Sequence, residues 1–408
     1  MSKPESFPRL LVATEFPPNA SGGGPAVVRQ MLRDWPADQL YWWSCLPETT
    51  TTFGQKTAGQ AVAAIPAKLY PHQRWCEQKS WVLENIWTHV ATRQLRSTLR
   101  AVQPDVIWVI PHGWSIPPLA RVLPGARIPW HVTFQDYMDI DSYAVRYGVA
   151  RSRRLSAAAD RLYAEATTRD ATSHPMIADL LQRTGAPAAQ MLHAGIEKED
   201  LAWLEAGLAG KPDCLRIAHA GSIQLESVFA LFVAALQKIR ARLPVPVTLE
   251  FFGNHSYRSR SWFDATWMNE RGNLPTAQLT AALRECAWGF SPMALTDEDP
   301  RYNRLSFPTK FISYLAAGLP VITLGHPESS VVKMAKAYDV GVCITSADVD
   351  KISAQLAPAL ADAQPQKTYI EEIRRCARTE FDAVRMRRIL YDGLRQSAAG
   401  ANPSDPAA

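Results

Sequence analysis

No stretch of this 408-residue chain is apolar for long enough to cross a bilayer as a helix. The longest apolar run, residues 316–324, is interrupted by Gly318 and Pro320 and falls far short of the roughly 18 residues a spanning helix needs. Paired cysteines are also missing. Cys45, Cys76, Cys214, Cys286, Cys343 and Cys376 are scattered with no CxxC among them, which excludes a zinc ribbon or a disulfide frame and suits a reducing compartment. The opening MSKPESFPRLLVATEF has no basic segment followed by an apolar block and a small-residue cleavage site, so no export leader is expected and the location is read as cytoplasmic. Strong charge of one sign is absent too. Lys and Arg number 44 against 39 Asp and Glu, a net +5. So mild an excess suits an anionic small molecule or an anionic membrane surface, and not duplex nucleic acid, which calls for a denser basic stripe. What is present is ordinary globular composition, 47% hydrophobic with mean hydropathy −0.16, which excludes a mostly disordered chain.

Short apolar β-type runs alternate with longer amphipathic stretches, the pattern of an α/β fold on parallel sheets. Strands are expected at 9–14, 39–44, 105–110, 130–134, 170–173 and 190–193, with helices at 25–35, 75–100 and 151–166. A Gly, Ala and Pro cluster at 206–212 (AGLAGKP) reads as a linker. The rhythm then restarts, with strands at 215–220, 247–252, 288–292 and 321–324 and helices at 228–241, 279–286 and 309–317. The expected domains are therefore 1–206 and 213–370, followed by a basic helix at 371–396 and a disordered tail at 397–408. Open α/β sheets hold ligands at the carboxyl ends of their strands, here in a cleft between two domains, so the chemistry belongs in the loops that follow strands.

The strongest local signal is residues 305–325, LSFPTKFISYLAAGLPVITLG. Pro308 is placed to open a helix, Gly318 to end it in the left-handed region, and Pro320 to stop it. A helix N-terminus attracts anions, so Lys310 in its first turn, set against the dipole, makes chemical sense with a phosphate between the two. Ser313 shares a face with Lys310. The loop Asn19-Ala20-Ser21-Gly22-Gly23-Gly24-Pro25 also joins a strand to a helix, the context a phosphate or sugar cradle requires. In QDYMDID (135–141), Asp136 is the leading candidate for general base or acceptor anchor beside Gln135, with Asp139 and Asp141 in the same loop; His112, at another strand end, comes second. Asp297-Glu298-Asp299 has DxD spacing but reads as a solvated loop, and no metal site is assigned. Arg146, Arg151, Arg153, Arg154 and Arg161 form the densest basic region and would suit anionic lipid.

The SFPTKFISYLAAGLPVI block resembles the nucleotide-sugar-binding signature of GT-B glycosyltransferases, notably the retaining family-4 type. HAGSI (219–223), FFGN (251–254), the glycine loop, Pro111-His112, Gln135-Asp136 and HAGIE (193–197) follow in the family's order. The resemblance implies two Rossmann-like α/β domains facing a cleft, with a C-terminal helix crossing back to the first. It implies a nucleoside diphosphate-sugar as substrate, no cofactor, and a glycan, lipid-linked or secondary-metabolite acceptor, with the enzyme peripheral to a membrane. Lys310 would contact the diphosphate near Phe307, Pro308 and Thr309; Gly221 and Ser222 would let backbone amides approach it; Gly22, Gly23, Gly24, Gly253, Asn254, Arg304 and Ser313 complete the donor side. The sequence departs from the pattern where two glutamates are usual, since Leu305 and Ser313 stand there, and Gln135-Asp136 replaces a His-Asp pair. Those losses leave room for a non-catalytic partner subunit, and a nucleotide-sugar 2-epimerase shares the fold.

Overall fold

In β1 (Leu10–Thr14) all five residues are buried. A strand apolar on both faces needs helices on both sides, which is the condition of a parallel sheet. The computed structural model describes residues 7–20, 22–47, 54–66, 75–136, 148–187, 189–206, 214–296, 300–362 and 364–400. The chain divides into two units, one formed by residues 1–193 with 386–408 and the other by 194–385.

The first unit continues with α1 (Gly23–Met31), β2 (Leu40–Ser44), β3 (Gly59–Val62), α2 (Cys76–Val82) and α3 (Thr88–Val102). A π-turn at Leu83–Trp87 joins α2 to α3, and the Thr88 hydroxyl donates to the Leu83 carbonyl at 2.7 Å, satisfying an acceptor that the wider turn exposes. After them come β4 (Val106–Ile110), α4 (Ile116–Val122), β5 (Trp130–Phe134), α5 (Val149–Ala164), β6 (Thr168–Ala171), α6 (His174–Thr184) and β7 (Gln190–Met191). The strands are all parallel in the order β3-β2-β1-β4-β5-β6-β7. The order reverses between β1 and β4, so the loops after these two strands diverge and open a crevice.

The second unit holds α7 (Lys198–Ala206), β8 (Leu215–Ala220), α8 (Glu226–Ile239), β9 (Val247–Phe252), β10 (Met268–Gly272), α9 (Thr276–Leu283), β11 (Trp288–Pro292), α10 (Pro300–Leu305), α11 (Thr309–Ala316), β12 (Val321–Leu324), α12 (Ser330–Tyr338), β13 (Gly341–Ile344), α13 (Val349–Ala361) and α14 (Pro365–Glu380). Its sheet, β10-β9-β8-β11-β12-β13, is also parallel and reverses between β8 and β11. Alternate residues feed two cores. Leu215, Ile217, Ile322 and Leu324 pack with α8 and α13, while Ala218, Ala220 and Val321 pack with α11, α12 and α14.

Three expectations need correction. The division of the chain lies at His193/Ala194, ahead of the expected boundary at 206, because Leu204 is buried in the second unit's core with Leu201 and Trp203 packed against it. The expected single helix at 371–396 is two. α14 keeps Ile373, Cys376 and Ala377 in the second unit's core, and α15 (Ala383–Ala398) begins where the Asp382 carboxylate caps the Val384 and Arg385 amides at 2.8 and 3.1 Å. Residues from Met386 onward belong to the first unit, where the Tyr391 ring meets Trp35 at 5.1 Å and Arg387 pairs with Asp34 at 3.0 Å. The expected tail starts too early, since α15 continues through a buried Ser397. Residues 207–213, read as the linker, and 401–408 lie outside the described residues.

Candidate active site

In the second unit the site is built around the turn that follows β8. Gly221 takes φ +85°, a value side chains rarely adopt, and the space where a Cβ would sit is open. Its amide donates to Phe252 O at 2.7 Å, and Ile223 N–H donates to the Tyr257 hydroxyl at 3.0 Å, so both ends of the turn are held. Lys310 reaches this turn from the first full turn of α11, its Nζ donating to Ser222 O at 3.3 Å. No side chain caps α11 at Pro308, so its leading N–H groups are available to an anion. Among the described residues no carboxylate pairs with Lys310. Burial pushes its ammonium down to about 8 from the ordinary 10.5.

Two residues inside the quoted motifs, given no role from the sequence, shape this turn. His219 is fully buried on β8, and burial together with the Lys310 ammonium holds its ring well below the usual imidazole range, so it is neutral at neutral pH. Tyr314 lies on α11, and its hydroxyl accepts from Ala220 N–H at 2.9 Å and donates to Phe290 O at 3.1 Å. One phenol thus ties α11 to the end of β8 and the middle of β11 at the topological switch. Tyr314→Phe should cost about 1–3 kcal/mol, the penalty of an orphaned buried amide. Urea unfolding followed by tryptophan fluorescence measures it, and an unchanged midpoint would contradict the bridge. Asn303, likewise unread, fixes the loop after β11: its Oδ1 accepts from Ala294 N–H at 3.1 Å and its Nδ2 donates back to Ala294 O at 3.3 Å.

The other expected donor residues are distributed around this centre. Gly253 packs beside Gly221, while Asn254 is exposed at the end of β9. Ser313 turns its hydroxyl to Thr309 O at 3.3 Å, a bond inside α11. Phe307 packs into the core against Phe311 and Phe381, with centroids at 5.6 and 5.7 Å. Arg304 is exposed on α10, where its charge is felt by Glu328.

In the first unit, the crevice between β1 and β4 brings together Glu15 and His112. Glu15 Oε2 lies 2.6 Å from His112 Nδ1, and Oε1 accepts Trp114 N–H at 3.0 Å. Gly113, at φ +46°, passes so close that a Cβ would sit 2.3 Å from Glu15 Oε1, so only glycine admits the carboxylate here. With Nδ1–H assigned to the Glu15 bond, the basic nitrogen of His112 is Nε2. His112 is 40% exposed and Glu15 14%. The glycine loop lies on the same side of the sheet: Arg29 donates to Ala20 O at 2.6 Å, Gly22 and Gly23 are exposed, and Gln135 Oε1 comes within 3.1 Å of the Cβ position of Gly24. Asp136 is exposed at the end of β5; Asp139, Asp141 and Asp297-Glu298-Asp299 lie outside the described residues. Among the described residues no group of three or more His, Cys, Asp or Glu is placed to hold a metal ion, and no helix is long and apolar enough to cross a membrane. Of the expected basic region, Arg151 and Arg154 pair with Glu84 at 3.1 and 2.6 Å and Arg161 with Glu165 at 2.7 Å, Arg153 is exposed, and Arg146 lies outside the described residues.

No protein-family profile matches the sequence, and no protein of curated function matches it. Solved structures do match. Sucrose-phosphate synthase from Thermosynechococcus elongatus superposes with TM-score 0.69 at 14% identity, over 97% of this chain and 100% of that one. The chain has the GT-B fold. HepE of Anabaena, solved in complex with UDP, is another GT-B neighbour at TM-score 0.65 and 13% identity, over 95% of this chain and 100% of that one. WaaG, a glycosyltransferase involved in lipopolysaccharide biosynthesis, gives 0.62 at 12% identity, over 94% and 99%. The likeness runs through both Rossmann-like units.

Proposed function

We propose that this GT-B chain is a glycosyltransferase that moves a sugar from a nucleoside diphosphate donor to an acceptor hydroxyl. One observation carries the reading: Lys310 holds a half-buried ammonium at the uncapped start of α11, beside the Ser222 turn, with no carboxylate to neutralise it among the described residues. Such a charge calls for an anion. As the sugar–phosphate bond breaks, negative charge grows on the departing diphosphate, and a fixed cation with open backbone amides stabilises that growth. On the first unit His112, oriented by the Glu15 carboxylate, is the group we assign to receive the acceptor proton, with Gln135 and Asp136 as acceptor contacts. The acceptor in this reading is a glycan, lipid-linked or secondary-metabolite hydroxyl, and the reaction needs no resident metal. HepE was solved with UDP, so uridine diphosphate and its sugars come first in any screen.

The experiment is a thermal-shift screen with UDP, GDP, TDP and ADP, followed by measurement of diphosphate release from the matching sugar donors with and without an acceptor extract. The matching diphosphate at a hundredfold over its Kd should add about 2.7 kcal/mol of apparent stability. Release should require acceptor. No shift with any of the four and no release from any donor would overturn the reading.

A further inference from the structure

Away from the strand-end crevices, the first unit has a groove between the C-terminal ends of α3 and α4, about 560 Å³ in volume and lined by Arg96, Arg100, Arg121 and Arg127. Gln103 and Ile128, which precede β4 and β5, line it as well, so it opens at the amino-terminal edge of the sheet, opposite His112. Several arginines elsewhere meet carboxylates, Arg151 with Glu84, Arg183 with Asp179 and Arg284 with Asp200, and others, such as Arg29 and Arg169, donate to backbone carbonyls. The four groove arginines have no ion-pair or hydrogen-bond partner among the described residues. Asp105, in the adjoining loop, is turned to the Arg9 amide at 2.7 Å. A helix C-terminus favours a cation, which accounts for Arg100 and Arg121 singly. It does not account for four solvent-exposed arginines lining one groove that has no carboxylate among its lining residues.

We infer that this groove is a second anion site, one that takes a phosphoryl or diphosphoryl group. Guanidinium forks match phosphate oxygens two at a time, and four of them around one recess supply more donors than a monophosphate can use. Two sources carry that chemistry. One is a free phosphorylated metabolite. The other is an anionic lipid headgroup. The site is independent of the Lys310 crevice.

The test uses the full chain carrying Lys310→Ala, so that the crevice does not contribute, with and without Arg100→Gln/Arg121→Gln; Arg96→Gln/Arg127→Gln is a second, separate pair. Binding of inorganic pyrophosphate is measured by calorimetry, and binding to phosphatidylcholine vesicles with and without phosphatidylglycerol by co-sedimentation. We expect one of the two probes to bind and its affinity to fall about tenfold or more in either arginine pair, with the melting temperature unchanged. Pyrophosphate binding identifies a soluble ligand, and binding to anionic vesicles alone identifies a headgroup. The inference is overturned if neither probe binds, or if binding survives both arginine pairs undiminished.

Discussion

Lys310→Ala should weaken nucleoside diphosphate binding by about 1.5–3 kcal/mol, roughly 10- to 150-fold in Kd, the range for a charge-assisted hydrogen bond. Turnover should fall further than binding, because the developing charge on the leaving group leans on the same ammonium more than the ground state does. Calorimetry with the preferred diphosphate and steady-state kinetics separate the two effects. The pH dependence gives an independent check. Burial pushes the Lys310 ammonium down to about 8, so in the free protein half the molecules are neutral at that pH. Diphosphate binding selects the charged form. Affinity should therefore be level well below pH 8 and fall above it, approaching about tenfold per pH unit until the higher pKa of the complex is reached. Lys310→Ala should flatten that limb. The stability of the free protein moves the other way. A lysine whose pKa falls on folding destabilises the native state while charged, so this contribution lessens as pH rises from about 8 toward 10.5. Equal diphosphate affinity in the variant and the parent would remove the donor site proposed for this turn.

Asp170→Ala should destabilise the first unit by about 1–3 kcal/mol, the range for leaving a buried hydrogen-bonding group without its partner. Asp170 and His131 are almost wholly enclosed, at 0% and 2% exposure, with Oδ2 and Nε2 2.7 Å apart. The other ring nitrogen of His131 meets Thr168 Oγ1 at 2.8 Å, and that hydroxyl meets Gly393 O at 2.8 Å and Ser397 Oγ at 2.5 Å on α15. The network fastens the last helix to β5 and β6 through polar groups that water cannot reach. Removing the carboxylate leaves the imidazole buried with one partner fewer, and the loss should pass to α15. Urea unfolding with hydrogen exchange measures both: the first transition should come at lower urea and the α15 amides should lose protection, whereas Ser397→Ala, which spares the His131–Asp170 bond, should cost much less. An unaltered transition in Asp170→Ala would show that the pair contributes nothing to holding the helix.

The central strands were legible because burial on both faces makes them read as unbroken apolar runs, as in VIWVI at 106–110 and VITL at 321–324. The edge strands β3 (GQAV) and β10 (MNERG) were not, since a half-exposed border strand shows neither a continuous apolar run nor a clean alternation. For β13 (GVCI) the run was too short to stand out. At 371–396 helical periodicity continues across Phe381 and Asp382, and what breaks it is nonlocal: Ile196 N–H donates to Phe381 O and Ala383 N–H to Ile196 O, a bridge between segments far apart in the chain.

From the sequence alone come the α/β class, the parallel sheets, and a helix at 309 whose first turn holds a lysine where an anion is favoured, because each of these depends on residues within a few positions of one another. The pairings that make a site were decided by the tertiary structure. Glu15 meets His112 across 97 positions, Lys310 meets Ser222 across 88, and Tyr314 meets Ala220 across 94. Parallel strands need a crossover between neighbours, and the reversal of strand order sets distant loops side by side at each switch point. Local patterning carries no record of which loops those are.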